Sequence, residues 1–259
     1  MDDSTKNFKI ETTFNSIHLV YRQGRLELRS HDKSLQSVIN LEKPHHLELR
    51  NLEYLMSVLL FMAAPRRILM LGTAAGSLLH FLRYHYPQAD ITAVDIDNQL
   101  IEQLLKLDIL PPADDRLTYI CDDAQQIIKR SEANFDLVLV DVFNGVQSPP
   151  WLLEKTSIQQ LHDLLNDNGA LALNLLIDSD HDFRLFNLAV RRQFQQQTLC
   201  LPVSGLENKI VFGVRGKTAA RDMTSNLQAA LELSTQLGID FMPILSVIYN
   251  TNPVGGGLI

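Results

Sequence analysis

The chain has 259 residues, of which 46% are hydrophobic, and a formal net charge of −7 at pH 7. This length and apolar content suit a packed core, built as one large domain or as one domain with a small appendage. The acidic balance argues against nucleic acid or an anionic membrane surface as a partner.

The first residues, Met-Asp-Asp-Ser-Thr-Lys, show no signal-peptide pattern, and the longest apolar stretch, 54–64, is too short to span a bilayer. Cys121 and Cys200 form no C-x-x-C motif, so the sequence predicts neither a disulfide framework nor a zinc site. We therefore expect a reducing, cytoplasmic setting.

Residues 1–43 are predicted to form a small antiparallel β unit. Two alternating runs, 18–22 and 25–29, flank Gln23-Gly24, which is typical of a two-residue hairpin, and 36–41 could add a further strand. Apolar residues then recur at helical spacing from about 46 to 63, where Pro65 ends the pattern.

From there the pattern alternates between strand and helix. Strands are predicted at 67–72, 90–95, 116–121, 136–142, 169–177, 197–202 and 208–214, and helices at 76–85, 97–106, 123–130, 154–165 and 182–194. Such alternation predicts an α/β fold with a doubly wound, mostly parallel sheet, whose last two strands pair antiparallel. We expect residues 44–218 to form this α/β domain. Residues 219–259 are expected to add an amphipathic helix near 220–237 and a mobile tail from 250 to 259.

The stretch from Ile68 to Leu79 is the most informative part of the chain. An apolar strand ends at Gly72, a small-residue turn follows to Gly76, and a helix begins near Ser77. Asp95 ends the next apolar strand, 23 residues after Gly72. Nucleotide-binding α/β folds place a ribose-binding carboxylate about 20 residues after the glycine turn. The alternative is that the glycines only permit helix–strand packing and that Asp95 caps a helix.

The turn lacks the full G-x-G-x-x-G pattern, which favours a mononucleoside such as an S-adenosyl compound over NAD. Ligands of such sheets bind at the carboxyl ends of the strands, where Asp122 and Asp141 also lie. Asp122 is predicted to lie near adenine and Asp141 to face the reacting end of the ligand. Each aspartate could instead be a helix N-cap, and for Asp122 and Asp123 one role each is expected.

At these residues the chain resembles the spermidine synthases, or polyamine aminopropyltransferases, which share the fold of the S-adenosylmethionine-dependent methyltransferases. The resemblance covers roughly 15–215 and includes the glycine turn and the segments 94–97, 122–124, 136–141 and 164–174. It implies a class I methyltransferase-like, Rossmann-like sheet of seven strands with a small N-terminal antiparallel β unit.

The resemblance also implies a transferase of polyamine biosynthesis. Its co-substrate would be S-adenosylmethionine or its decarboxylated form, with no metal, and its acceptor would be an amine or diamine. Asp141 would take a proton from the attacking amine. The nucleoside-binding residues would be Gln36, Gly72, Ala75, Gly76, Asp95, Ile96, Asp122, Asp123 and Ala124. Tyr54, Asn144 and Trp151 would belong to a substrate-side loop. Apart from the resemblance, the N-terminal β unit offers an edge through which two copies could pair as a homodimer. For Trp151 and its loop, a lid over the site and ordinary packing on the core are both open.

Three departures from the family's pattern concern the amine side of the site. The family has an aspartate where this chain has Ala75, a second aspartate where it has Asn144, and a tyrosine near 202–205. Losing one partner of a desolvated charge pair costs about 2–5 kcal/mol, so diamine transfer would be weakened. Two alternatives therefore stay open: a methyltransferase with an unknown acceptor, and a nucleoside-binding homologue without catalysis.

Overall fold

The computed structural model describes residues 6–131, 134–145, 147–216, 222–254 and 257–259. It contains a four-stranded antiparallel sheet followed by a seven-stranded sheet with helices on both faces. The predicted α/β class and the predicted small N-terminal β unit are confirmed.

The N-terminal sheet has the strand order β1-β2-β3-β4. Its strands are β1 (Lys6–Glu11), β2 (Ser16–Arg22), β3 (Arg25–Ser30) and β4 (Leu35–Asn40). Gln23 and Gly24 both have positive φ, as a two-residue turn between twisted strands requires, so the predicted hairpin is confirmed. The strand β1 was not expected from the sequence.

The large sheet has the order β10-β11-β9-β8-β5-β6-β7. Its strands are β5 (Arg67–Leu71), β6 (Asp90–Asp95), β7 (Leu117–Cys121), β8 (Phe135–Val140), β9 (Leu165–Leu175), β10 (Thr198–Pro202) and β11 (Lys209–Val214). The pairs among β7, β6, β5, β8 and β9 are parallel, whereas β11 pairs antiparallel with β9 and β10. The winding reverses between β5 and β8, and this reversal is where ligands of open α/β sheets bind.

The helices alternate with these strands as the periodicity predicts. They are α1 (Arg50–Met56), α2 (Ser77–His85), α3 (Asn98–Lys106), α4 (Ala124–Arg130), α5 (Lys155–Asp163), α6 (Asp180–Gln193), α7 (Met223–Leu237) and α8 (Phe241–Thr251), with 3-10 helices at Ser57–Phe61 and Pro150–Leu153. No helix among these described residues combines the length and the apolar character that a bilayer crossing needs.

The core has two parts, one on each face of the large sheet. Alternate residues of a strand point to opposite faces, so Ile68 and Met70 join one part while Leu69 and Leu71 join the other. The first part also contains the buried residues of the N-terminal sheet, α1, α2, α7 and α8, and the second contains those of α4, α5 and α6. Both faces of the parallel strands are therefore covered, which explains their continuous apolar sequence.

The C-terminal region differs from the prediction. The helix α8 was not predicted, although Phe241, Ile244, Leu245 and Ile248 form one buried face at helical spacing. The expectation of a mobile tail is wrong for its end, because Leu258 and Ile259 are only 3% and 4% exposed. The expected domain boundary at 218 and the residues 255–256 of the tail lie outside the described residues, and the division into domains stays a prediction.

Candidate active site

The two strands at the winding reversal approach each other closely at their carboxyl ends. The N–H of Asp141 donates to the Leu71 carbonyl at 2.9 Å, and Gly72 follows directly with φ +91°. A Cβ on Gly72 would lie 2.2 Å from the backbone oxygen of Asp141. Glycine is therefore required here both for its conformation and for the space it leaves.

The turn after Gly72 leads directly into a helix. Ala74 has φ +46°, and Gly76 has φ +85° as the N-cap residue of α2. A Cβ on Gly76 would lie 2.4 Å from a methyl carbon of Leu110. The first N–H groups of α2 have no partner within the helix, so the end that follows the turn favours an electron-rich ligand group.

Asp95 holds the glycine turn in place. One carboxylate oxygen accepts the N–H of Thr73 at 2.9 Å, and the other accepts the N–H of Asp97 at 3.1 Å. Burial raises the pKa of Asp95 above its usual value, although these hydrogen bonds act in the opposite direction. Each oxygen retains lone pairs that can accept further hydrogen bonds. The ribose-binding role of Asp95 stays a prediction.

Strand β4 of the N-terminal sheet covers the glycine turn. Its Ser37 hydroxyl lies 2.8 Å from that of Ser77, and Ser77 Oγ lies 2.8 Å from the Val38 carbonyl that accepts its proton. This contact closes a crevice over the turn. The crevice is lined by Gln36, Ser37, Leu52, Met70, Gly72, Thr73, Ala74, Ser77, Leu78 and Asp141.

Asp141 is the one carboxylate among those lining residues. Burial raises its pKa to about 6, although a hydrogen bond from Asn174 Nδ2 to Asp141 Oδ1, 2.8 Å long, lowers it. The carboxyl group therefore titrates close to neutral pH, as a general base needs. Of the predicted site residues, Gln36, Gly72 and Asp141 meet in this crevice, and Asp95 reaches it through Thr73.

The predicted adenine side is more exposed. Asp123 caps α4 by accepting a hydrogen bond from the N–H of Gln125 at 2.8 Å, which agrees with the helix-capping role given as the alternative for this residue. Asp122 accepts the N–H of Asp123 and forms an ion pair with Arg130. Ala124 is buried as the first residue of α4, whereas Ile96 is 44% exposed.

Two residues expected at the ligand are directed into the core. Tyr54 lies in helix α1 and not in a loop, and it is only 4% exposed; its place on the substrate side stays a prediction. Ala75 is fully buried in the same part of the core as Leu78 and Leu79 and does not line the crevice. A carboxylate at position 75 of this backbone would be surrounded by apolar side chains.

The loop after β8 is held by its own backbone. The N–H of Asn144 donates to the Gln147 carbonyl at 2.8 Å, and the Asn144 side chain is exposed. Trp151, in the second 3-10 helix, is partly buried against the core on the α5 face. The packing interpretation of Trp151 thus describes its position.

Several residues of the crevice were not foreseen: Ser37, Leu52, Thr73, Ser77 and Leu78, together with Asn174 beside it. Asn174 did carry a signal, since it is the single polar residue in the buried run 170–175. Among the described residues, no three His, Cys, Asp or Glu side chains are grouped as metal ligands.

Comparison with known proteins shows which proteins this chain resembles. Residues 48–175, which contain the glycine turn, Asp95, Asp141 and Asn174, match the family model of the spermine/spermidine synthase domain. About half of the chain is therefore similar to the spermine/spermidine synthase domain. A polyamine aminopropyltransferase of Neisseria meningitidis is 28% identical over 224 residues, which cover 86% of this chain and 85% of that protein. The aminopropyltransferase of Chromobacterium violaceum is 25% identical over 225 residues.

Solved structures share the fold of this spermidine synthase-like chain. A probable spermidine synthase of Corynebacterium glutamicum superposes with a TM-score of 0.73 at 21% identity, covering 88% of this chain and 86% of that one. Human methyltransferase-like protein 13 in complex with SAH superposes with a TM-score of 0.62 at 22% identity, covering 76% of this chain and 92% of that one. The class I methyltransferase-like fold predicted from the sequence is confirmed.

Proposed function

We propose that the protein transfers an alkyl group from an S-adenosyl nucleoside to an amine, with Asp141 as the general base. The observation that carries the proposal is the partly buried carboxyl group of Asp141, with a pKa raised to about 6, in the crevice beside the glycine turn. The names of the Neisseria and Chromobacterium relatives, and a spermidine synthase of the same fold solved with the transition-state analogue AdoDATO, support an aminopropyl donor.

The reaction requires a neutral amine, because an ammonium has no lone pair. The Asp141 carboxylate takes the proton, and the nitrogen attacks the carbon next to the sulfonium. The C–S bond breaks, and its electrons leave with sulfur as a neutral thioether.

An alkylamine has a pKa near 10.4, so proton transfer to an ordinary aspartate is uphill by more than about 6 pH units. Raising the pKa of Asp141 from 3.8 to about 6 makes this proton transfer less unfavourable by about 3 kcal/mol, at about 1.36 kcal/mol per unit. Burial thus contributes directly to the strength of the base.

The same crevice argues for an acceptor whose attacking amine is its only amino group within the crevice. Asp141 is the single carboxylate among its described lining residues, Ala75 is buried, and Asn144 carries no charge. A diamine needs a second anionic partner for its distant ammonium. We therefore expect monoamines, or amines whose second cation lies outside the crevice, to be better acceptors than putrescine.

Calorimetry with a panel of nucleosides tests the proposal. Decarboxylated S-adenosylmethionine, S-adenosylmethionine, methylthioadenosine and S-adenosylhomocysteine are each titrated with and without putrescine or a monoamine, and products are identified by mass spectrometry. We expect tight methylthioadenosine binding and aminopropyl transfer that Asp141→Asn abolishes while nucleoside binding remains. The matched control is Asp90→Asn, which removes an exposed ion pair with Arg116 at the opposite end of β6. Binding of none of the four nucleosides refutes the proposal.

A second candidate is methyl transfer. A Drosophila homologue of the eEF1A lysine and N-terminal methyltransferase is 32% identical over 121 residues, which cover 42% of this chain but only 17% of that protein. Buried Ala75 offers no carboxylate for the amine of a decarboxylated donor. Preference for S-adenosylhomocysteine over methylthioadenosine, with a methylated product, would favour this candidate.

We also propose that two copies pair through the N-terminal sheet. β1 is an edge strand of that sheet, and Phe8 on it is 51% exposed. Edge strands offer unpaired backbone groups to a second chain. Sedimentation equilibrium of the wild type and of Phe8→Lys tests this, and a monomer at all wild-type concentrations contradicts it.

A further inference from the structure

A chain of two buried side-chain amides leads away from Asp141. Asn174 Nδ2 donates to Asp141 Oδ1, and Asn208 Nδ2 donates to Asn174 Oδ1, both at 2.8 Å. Asn174 is fully buried and Asn208 is 9% exposed. Proton transfer to Asp141 does not itself require either amide. Burying a polar side chain nevertheless costs free energy unless the side chain is hydrogen-bonded.

The sheet register brings the three side chains together. β8 pairs with β9 through Val140 and Leu173, so the next residues, Asp141 and Asn174, are neighbours. β9 pairs with β11 through Asn174 and Ile210, and Asn208 lies two residues before Ile210 on the same face. The Asn208 carbonyl accepts the N–H of Val203 at 2.9 Å, which fixes the turn that carries this amide.

We propose that Asn208 is a positioning residue that locks the Asn174 amide in the orientation that donates to the Asp141 carboxylate. The inference rests on the proposed function insofar as Asp141 is the base, but the orientation itself is a property of the ligand-free protein. Asn208 acts through Asn174 and has no contact of its own with Asp141 among the described hydrogen bonds.

The lock follows from the donor and acceptor inventory of an amide. Its oxygen only accepts and its nitrogen only donates. To accept from a protonated Asp141, Asn174 would have to rotate by half a turn, and its NH₂ group would then face the NH₂ group of Asn208 unless the Asn208 amide rotated as well. Asn208 therefore penalises the arrangement that stabilises neutral Asp141, and the ionised, proton-accepting form gains.

The environment of Asp141 makes this effect measurable. Among the described residues, burial and the Asn174 hydrogen bond are the two influences on its pKa, and no charged side chain is among them. Burial favours the neutral form and the amide favours the charged one. A change in the amide chain should therefore appear directly in the titration of Asp141.

A double-mutant cycle on the ligand-free protein tests the proposal. The carboxyl carbon of Asp141 is followed by ¹³C NMR from pH 4 to 9 and assigned by its loss in Asp141→Asn. We expect Asn174→Leu to raise the Asp141 pKa by about one unit or more, and Asn208→Leu to raise it by a smaller amount. In the Asn174→Leu background, Asn208→Leu should change the pKa no further. In the pH dependence of the transfer rate, the apparent pKa of the acid limb should shift by the same amounts as the Asp141 pKa.

The matched control is Asn166→Leu. Asn166 Nδ2 donates to Asp136 Oδ1 at 2.7 Å near the opposite end of β8, so this variant removes the same kind of hydrogen bond elsewhere. It should leave the titration of Asp141 unchanged. The pair Asn174→Ala and Asn208→Ala repeats the cycle if the leucine variants fold poorly.

Two results overturn the proposal: an unchanged Asp141 pKa in Asn208→Leu, or an equal effect of Asn208→Leu with and without Asn174. The titration requires no substrate, so the amide lock and the proposed reaction can fail separately.

Discussion

Replacing Asp141 by Asn should stabilise the protein at neutral pH while it abolishes the proposed transfer. The pKa of Asp141 is raised from 3.8 to about 6, so between these values the folded protein binds more protons than the unfolded chain. Stability therefore falls as the pH rises through this window. Above it, the ionised carboxylate lowers the free energy of unfolding by about 3 kcal/mol. An asparagine avoids this loss because it carries no charge, and its Oδ1 can still accept from Asn174.

Urea unfolding at pH 4, 5, 6 and 7.5 measures the effect. The stability of Asp141→Asn relative to wild type should rise by about 2–3 kcal/mol between pH 4 and pH 7.5. Asp136→Asn is the control: burial raises the pKa of Asp136, but hydrogen bonds from Asn166, Arg66 and Arg67 outweigh it and the pKa lies below its usual value. Asp136→Asn should destabilise by a constant amount from pH 5 to 7.5, because that contribution is lost only at lower pH. A stability difference for Asp141→Asn that does not change with pH would refute the reasoning.

Three further substitutions test the frame of the crevice. Gly72→Ala forces a side chain at φ +91° to within 2.2 Å of a carbonyl oxygen and should lower the free energy of unfolding by about 1–3 kcal/mol in urea; a neutral result contradicts the assigned close approach. Asp97→Ala removes the N-cap of α3 and the hydrogen bond from Thr12, so we expect the free energy of unfolding to fall by about 1–3 kcal/mol and the amide hydrogens of residues 12–15 to exchange faster. Unaltered exchange would contradict the contact between Asp97 and the N-terminal sheet. Asp95→Ala should weaken methylthioadenosine binding at least about tenfold in calorimetry, whereas equal affinity would exclude a ribose contact.

Most of the fold could be predicted because its signals are local. The strand–helix alternation from 67 to 214 gave every strand of the large sheet to within a few residues, including the antiparallel pair β10 and β11. The helix α8 was missed although its apolar spacing is regular. The strand β1 has no strong alternation of its own and is defined by its pairing with β2.

The candidate site was predictable only where a residue follows a strand directly, as at Gly72, Asp95 and Asp141. The contacts that define their chemistry depend on register and docking. Asn174 meets Asp141 because of the alignment of β8 with β9, and Ser37 reaches Ser77 because β4 lies over the turn. Neither distance is encoded by spacing along the chain. Tyr54 shows the converse, since its helix was foreseen but not the direction of its side chain.

The buried carboxylate of Asp97 joins the two halves of the fold. The Asp97 carboxylate accepts hydrogen bonds from the Thr12 hydroxyl at 2.6 Å and from Asn15 Nδ2 at 2.9 Å, and the backbone N–H of Asp97 donates to the Asp95 carboxylate. The small sheet at the start of the chain is therefore fastened to the very strand end proposed to hold the sugar. An engineer who trims the chain to its large sheet, or fuses a bulky tag close to residue 12, should expect the nucleoside affinity to change together with the melting temperature.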